Sequence, residues 1–134
     1  MRENLMPHEE ELLSAARGAA SRAYAPYSHF RVGAAIETDA GWFTGCNVEN
    51  ASYGLCMCAE RTAVFQAIAS GATRVIRCAV SCIDANDDAG IQGRMPCGAC
   101  RQVLAEFCGA DAEVIVDGAG VWQMNELLPV SFHL

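Results

Sequence analysis

The alternation of apolar and polar positions divides the chain into a run of helices and strands. Leu12, Ala16, Ala19, Ala20 and Ala23 recur at helical spacing behind an acidic first turn at Glu9, Glu10 and Glu11, which suits the positive end of a helix dipole. Pro26 then breaks the chain. Residues Arg31 to Thr38 and Trp42 to Val48 read as two strands joined by a turn at Asp39-Ala40-Gly41. A second helix is predicted from about Cys58 to Ser70, with Val64, Phe65 and Ile68 facing the core and Gly71 near its C-terminal cap. Val75 to Ile83 forms a third strand, and Asp84 to Met95 a loop rich in Asp, Asn and Gly. A third helix opens after Pro96 and carries Val103, Leu104 and Phe107. Glu113 to Val116 and Val121 to Met124 read as short strands around Asp117-Gly118, and Glu126 to Leu128 adds a helical turn. The order α-β-β-α-β-α-β-β predicts an α/β fold, a three-layer α/β/α sandwich around a mixed five-stranded sheet.

Composition narrows the class. With 134 residues, 52% hydrophobic and 19% charged, the chain is expected to form one globular domain over residues 1–134 and not a disordered tail. No apolar run approaches the ~20 residues that span a bilayer. Met1 to Glu11 is polar and acidic, without the apolar centre of a signal peptide, so a cytoplasmic protein with no membrane partner is expected. The net charge is −7, and all nine basic residues are arginines that form no stripe. Duplexes and long single strands need many phosphate contacts, so nucleic acid is a poor partner and a small neutral ligand a better one.

Eight cysteines are many for this length. Without an export signal a disulfide framework is not expected, and Cys78 and Cys82, in an apolar run, read as small core residues. The chemistry concentrates instead at Cys58-Ala59-Glu60, opening the second helix, and Pro96-Cys97-Gly98-Ala99-Cys100, opening the third. A Cys-x-x-Cys pair on one turn directs two thiolates at one metal, and a helix N-terminus favours the thiolate form. If the two helices lie side by side, Cys58 is a third ligand. Three protein ligands leave one tetrahedral position for water, the mark of a catalytic zinc site, and zinc lowers the pKa of such a water to about 7. Glu60, two residues beyond a ligand, is placed to touch that water without coordinating, as a proton shuttle. Three thiolates on one Zn²⁺ leave a net negative centre. Arg61 or Arg101, each directly after a candidate ligand or proton carrier, could offset it, and Arg61 is favoured.

Each element has a plainer reading. Cys-x-x-Cys alone could be a redox pair or half of a structural zinc knuckle, Glu60 a solvated residue, and Cys56 the fourth ligand of a closed structural site. The joint occurrence of Cys-Ala-Glu and Pro-Cys-Gly-Ala-Cys, some forty residues apart, instead matches the pattern by which zinc deaminases hold metal and general acid–base.

From about Tyr24 to Phe132 the chain resembles the small cytidine deaminases that act on free nucleosides. The resemblance is carried by residues 26–35 (PYSHFRVGAA), 45–54 (GCNVENASYG), 58–63 (CAERTA), 96–102 (PCGACRQ) and 126–129 (ELLP). It implies hydrolysis of cytidine and 2′-deoxycytidine to the uridines with release of ammonia, one Zn²⁺ per subunit, and a homotetramer with sites at subunit boundaries. By the same resemblance, Asn47 and Glu49 bind the ribose, with Val48 between them in the substrate-binding stretch. Phe30 packs on the pyrimidine, the Ala59 carbonyl accepts from the substrate amino group, and Phe132 reaches a neighbouring subunit's site. Without the resemblance, Asn47 and Glu49 would read as a polar pair at a strand end, and Phe30 as a core residue. Cys56 and Met57 depart from the expected threonine-like and apolar residues, and Met95 from the frequent serine. A deaminase of another cytosine-bearing small molecule, such as an aminoacyl-nucleoside antibiotic, a non-catalytic zinc module and a polynucleotide editor are the competing classes.

Overall fold

The computed structural model describes residues 1–134, apart from the side chain of Ala89. Helix α1 (Pro7–Ala20) is followed by strands β1 (Val32–Thr38) and β2 (Gly41–Cys46), helix α2 (Ala59–Ala69), strand β3 (Val75–Cys82), helix α3 (Gly98–Phe107), strands β4 (Glu113–Val116) and β5 (Gly120–Gln123), and the short helix α4 (Met124–Leu127). The strands form one sheet in the order β2-β1-β3-β4-β5, with β3 and β4 parallel and every other pair antiparallel.

The layering follows from the two-residue period of the strands. Ala35, Ala79 and Ile115 face α1 and pack with Leu12, Leu13 and Ala16. Their neighbours Ala34, Ile36, Cys78, Val80, Val114 and Val116 face the opposite side and pack with Ala63, Val64, Ala67 and Leu104 of α2 and α3. The result is the expected α/β/α sandwich. Small side chains on both sides let helix and sheet approach closely. A Cβ on Gly33 would stand 1.9 Å from the Ala16 carbonyl oxygen, so α1 sits where only glycine leaves room.

Several boundaries differ from the pattern. α1 begins at Pro7 and ends at Ala20, leaving Ala23 outside. The Glu9 side chain folds back to accept the Met6 N–H at 2.6 Å, closing the helix start. β2 stops at Cys46 rather than Val48. β5 gives way to α4 at Met124 because Glu126 accepts the Gln123 N–H at 3.0 Å and caps that turn. Val64 is buried and Ile68 packs at the edge of the core, but Phe65 is 48% exposed. The face of α2 that meets the sheet runs through Ala59, Ala63, Val64 and Ala67 and does not include it. Among the described residues, no helix is long and apolar enough to cross a membrane.

Candidate active site

Two helix starts meet at one edge of the α2–α3 layer. Cys58 is the N-cap residue of α2, Cys97 that of α3, and Cys100 lies in the first turn of α3. The position of α2 is fixed from β2. A Cβ on Gly45 would fall 2.4 Å from Ala63 N and 2.7 Å from Ala59 O, so the helix rests against bare backbone. The Thr62 hydroxyl lies 2.8 Å from the carbonyls of both Cys46 and Ala59, which share its one proton, and fastens the first turn to the strand end. On α3, Arg101 Nε donates to the Pro96 carbonyl and Nη1 to that of Leu127, both at 2.8 Å, holding the turn before Cys97.

These constraints bring the thiols of Cys58, Cys97 and Cys100 within 4.8 Å of one another. The Cys58 and Cys97 sulfurs are 3.8 Å apart. A tetrahedral centre with Zn–S of ~2.3 Å has an S···S edge of about 3.8 Å, so the donor set fits one Zn²⁺. The same distance is far beyond an S–S bond, and all eight cysteines are free. Cys56 stands outside the trio; its sulfur accepts the Asn50 N–H at 3.2 Å. One other group of metal-type side chains occurs among the described residues, His8, Glu9 and Glu113, but Arg2 already pairs with both carboxylates.

The electrostatics separate the cysteines by role. The Cys58 thiol is held down at about 5, chiefly by its hydrogen bond with Cys100 and then by Arg61, whose Nη2 donates to Cys58 Sγ at 3.3 Å. Cys100 moves up, because it shares that bond and is buried beside a charge already placed on Cys58. One thiolate forms readily and the next is costly, a conflict that a divalent cation reverses with its own charge. Burial pushes Cys82 up to about 11 and Cys108 to about 12, so both remain thiols. Of the two arginines considered, Arg61 reaches a sulfur, whereas Arg101 spends its guanidinium on carbonyls.

Glu60 is 4% exposed and lies on the wall of a cavity of about 290 Å³, close to the lower end for small-molecule sites. Burial raises its carboxyl to about 7, against the pull of its own backbone N–H. Phe30, Asn47, Glu49, Ala59, Cys58 and Cys97 line the same cavity. Asn47 and Glu49 point the same way because residues 47–49 are extended: Val48 pairs with Met57 through bonds of 2.9 Å in both directions, and Glu49 N donates to Tyr24 O at 2.8 Å. The alternation that aligns Asn47 and Glu49 turns Val48 outward; it is 43% exposed and does not line the cavity of this chain. The Asn47 amide is partly committed, accepting from Val32 N at 2.8 Å and donating to Phe30 O at 2.9 Å.

The Ala59 carbonyl, the expected acceptor, takes the Thr62 hydroxyl and lies against Gly45. The N–H of Ala59, at the first position of α2, has no acceptor among the described residues, and Ala59 lines the cavity. Phe132 is 68% exposed, its carbonyl accepts from Gln102 at 3.1 Å, and it does not line this chain's cavity. Cys56, Met57, Cys82 and Met95 also line the wall, and so do Val32, Val80, Gly93 and Arg94, which were not singled out, since no local pattern marks residues contributed singly by a strand and a loop.

Residues 6–116 match the model of the cytidine and deoxycytidylate deaminase zinc-binding region. Among curated proteins, the chain is similar to the cytidine deaminase of Halalkalibacterium halodurans, at 45% identity over 126 residues covering 90% of this chain and 91% of the relative. It is also similar to that of Mycobacterium tuberculosis, at 44% over 118 residues covering 87% and 83%. Among solved structures, it resembles the cytidine deaminase of Burkholderia pseudomallei with a TM-score of 0.80 and 44% identity, covering 96% of this chain and all of that one. The Mycobacterium tuberculosis structure gives 0.78 and 41%, covering 93% and 97%.

Proposed function

The chain belongs to the family of zinc-binding cytidine and deoxycytidylate deaminases, and on that premise we propose that it hydrolyses cytidine and 2′-deoxycytidine to uridine and 2′-deoxyuridine, releasing ammonia, in pyrimidine salvage. It does so as one catalytic domain over residues 1–134. The observation that carries the reading is a buried carboxylate, Glu60, two residues beyond the first member of a three-thiol cluster on the wall of a nucleoside-sized cavity.

Cys58, Cys97 and Cys100 hold one Zn²⁺ per chain. The metal supplies Lewis acidity that makes water a nucleophile near neutral pH. Glu60 takes a proton from the attacking water and delivers it to ring N3, then takes the second proton from the hydroxyl now on C4 and passes it to the amino group as ammonia leaves. A carboxyl raised to about 7 can hold and release protons for these steps at neutral pH. Arg61 stabilises the thiolate of Cys58. Phe30 packs on the pyrimidine, the Ala59 N–H donates to a base acceptor, and Asn47 and Glu49 face the sugar, with the Glu49 carboxylate accepting its 3′-hydroxyl.

A phosphate on that carbon removes the donor and sets negative charge beside a carboxylate, which disfavours polynucleotides. Free nucleosides are the substrate class, no nucleic acid or membrane partner is needed, and the place of action is the cytoplasm. The exposed Phe132 is suited to a neighbour's cavity, so we assign a homotetramer. Light scattering should give about four chains per particle, and a stable active monomer would remove that assignment.

The function is tested by following ultraviolet absorbance with cytidine, 3′-cytidylate and a cytosine oligonucleotide. Cytidine should be converted and the other two left intact. Comparable turnover of the oligonucleotide would show that Glu49 has been misplaced, and zinc-loaded protein inert toward cytidine would leave a zinc-stabilised interaction module.

A further inference from the structure

We propose that Ser28 is a positioning residue that governs how the substrate sugar is read, acting through Glu49 and Phe30; this rests on the reading of Glu49 as the sugar's acceptor. Ser28 does not itself line the cavity, whereas Glu49 and Phe30 both do. A carboxylate offers about four acceptor sites. Three on Glu49 are filled from one short stretch of chain. Its Oε1 accepts the N–H groups of Tyr27 at 3.0 Å and Ser28 at 3.1 Å, and its Oε2 accepts the Ser28 hydroxyl. One site, on Oε2, remains for a sugar hydroxyl.

The same Ser28 Oγ accepts the Phe30 N–H at 3.0 Å. A single hydroxyl therefore joins the residue that faces the sugar to the residue that faces the base. The stretch between them is under strain. His29 has φ of +57°, in the left-handed region that non-glycine residues seldom adopt, and its N–H closes back on the Ala25 carbonyl at 3.0 Å. Such a conformation persists only where its surroundings hold it, and here the Glu49 carboxylate does so with three bonds.

Removing the Ser28 hydroxyl frees one edge of the carboxylate to turn and leaves the Phe30 N–H without its partner. The thiol cluster and Glu60 stand on α2 and α3, fastened by Thr62 and Arg101, and are not reached by this change. The loss falls on binding that is equal in ground state and transition state, so KM rises while kcat stays.

The test compares parent, Ser28→Ala and Ser28→Thr at equal zinc content, with steady-state kinetics on cytidine and 3′-deoxycytidine and a thermal melt of each protein. Ser28→Ala should raise KM for cytidine about tenfold, the scale of a lost hydrogen bond to a charged group. Its kcat should remain within about twofold, and the parent's preference for cytidine over 3′-deoxycytidine should shrink at least about fivefold. Ser28→Thr should restore both. Parent-like KM and preference in Ser28→Ala would overturn the proposal. Equal losses on both substrates together with a lower Tm would also overturn it, reducing Ser28 to scaffolding. A parent that does not distinguish the two nucleosides would refute the sugar reading of Glu49, and one inert toward both would refute the deaminase reading itself.

Discussion

Replacing Gly45 by alanine puts a methyl group where β2 and α2 touch backbone to backbone. The added Cβ would lie 2.3 Å from Thr62 Oγ1, 2.4 Å from Ala63 N and 2.7 Å from Ala59 O. Thr62 could turn aside, but the other two atoms belong to the helix backbone, so α2 must shift by about 1 Å to reach ordinary contact. Overpacking of this kind costs about 1–3 kcal/mol, and a backbone clash belongs at the upper end. A loss of ~3 kcal/mol changes the unfolding constant by about two orders of magnitude and lowers Tm by roughly 10 °C for a chain of this size. The same shift displaces Cys58, at the N-cap of α2, relative to Cys97, with which it makes the 3.8 Å edge of the metal centre. Gly45→Ala should therefore lose stability and bind zinc less tightly. Gly18→Ala is the control: it lies in α1 with nothing within 4 Å of the added methyl, and should gain about 0.5–1 kcal/mol of helix propensity. Urea unfolding and zinc competition against a chelator report both quantities. A Gly45→Ala protein that matches the parent in both would refute the claim that this contact sets the helix.

Arg61→Gln should weaken zinc binding about 10- to 100-fold with the fold intact, because the donor to Cys58 Sγ at 3.3 Å is gone; chelator competition with circular dichroism checks it. Cys56→Ala should keep one zinc and full activity, since Cys56 stands outside the thiol cluster; release of metal would make it a fourth ligand. Acid should destabilise the protein through Glu9, a buried carboxylate that its hydrogen bond from Arg2 holds at about 2, below its ordinary 4.5. A lowered carboxylate contributes stability above about pH 4.5 and loses it as pH falls through about 2. Urea midpoints should therefore drop from pH 5 toward pH 2 in the parent and drop less in Arg2→Ala, and equal slopes would refute the pairing.

Much of this was legible because short-range patterns carry it. The period of two in Ala34-Ala35-Ile36 and in Cys78-Ala79-Val80 assigns residues to the two faces of the sheet, and a cysteine just before each helical pattern places thiols at helix starts. Phe65 was misplaced because α2 is apolar around most of its girth, so periodicity alone does not choose the narrow alanine face that meets β2. At Ala59 the sequence names the residue but not which of its backbone groups is open, and the first-turn N–H is the one without an intrahelical partner. Arg61 and Arg101 are indistinguishable as neighbours of the motif residues. Both stand about one turn beyond a candidate ligand, and the acceptor each finds decides between them: Arg61 reaches Cys58 Sγ, whereas Arg101 folds back to the carbonyls of Pro96 and Leu127. The bonds from Tyr27 and Ser28 to Glu49 cross more than twenty residues and leave no trace in any local pattern.

The central claim is that Glu60 moves protons while Cys58, Cys97 and Cys100 hold the metal. It is tested most directly by zinc per chain and cytidine deamination rate for Glu60→Ala and Cys97→Ala, measured side by side with the parent. Glu60→Ala should keep about one zinc and its melting temperature while losing at least ~10²–10⁴-fold in rate, the usual worth of general acid–base catalysis. Cys97→Ala should lose metal and stability together, because a ligand that also holds two helix starts in place has gone. A Glu60→Ala protein that converts cytidine like the parent, or that sheds its zinc, would contradict the account.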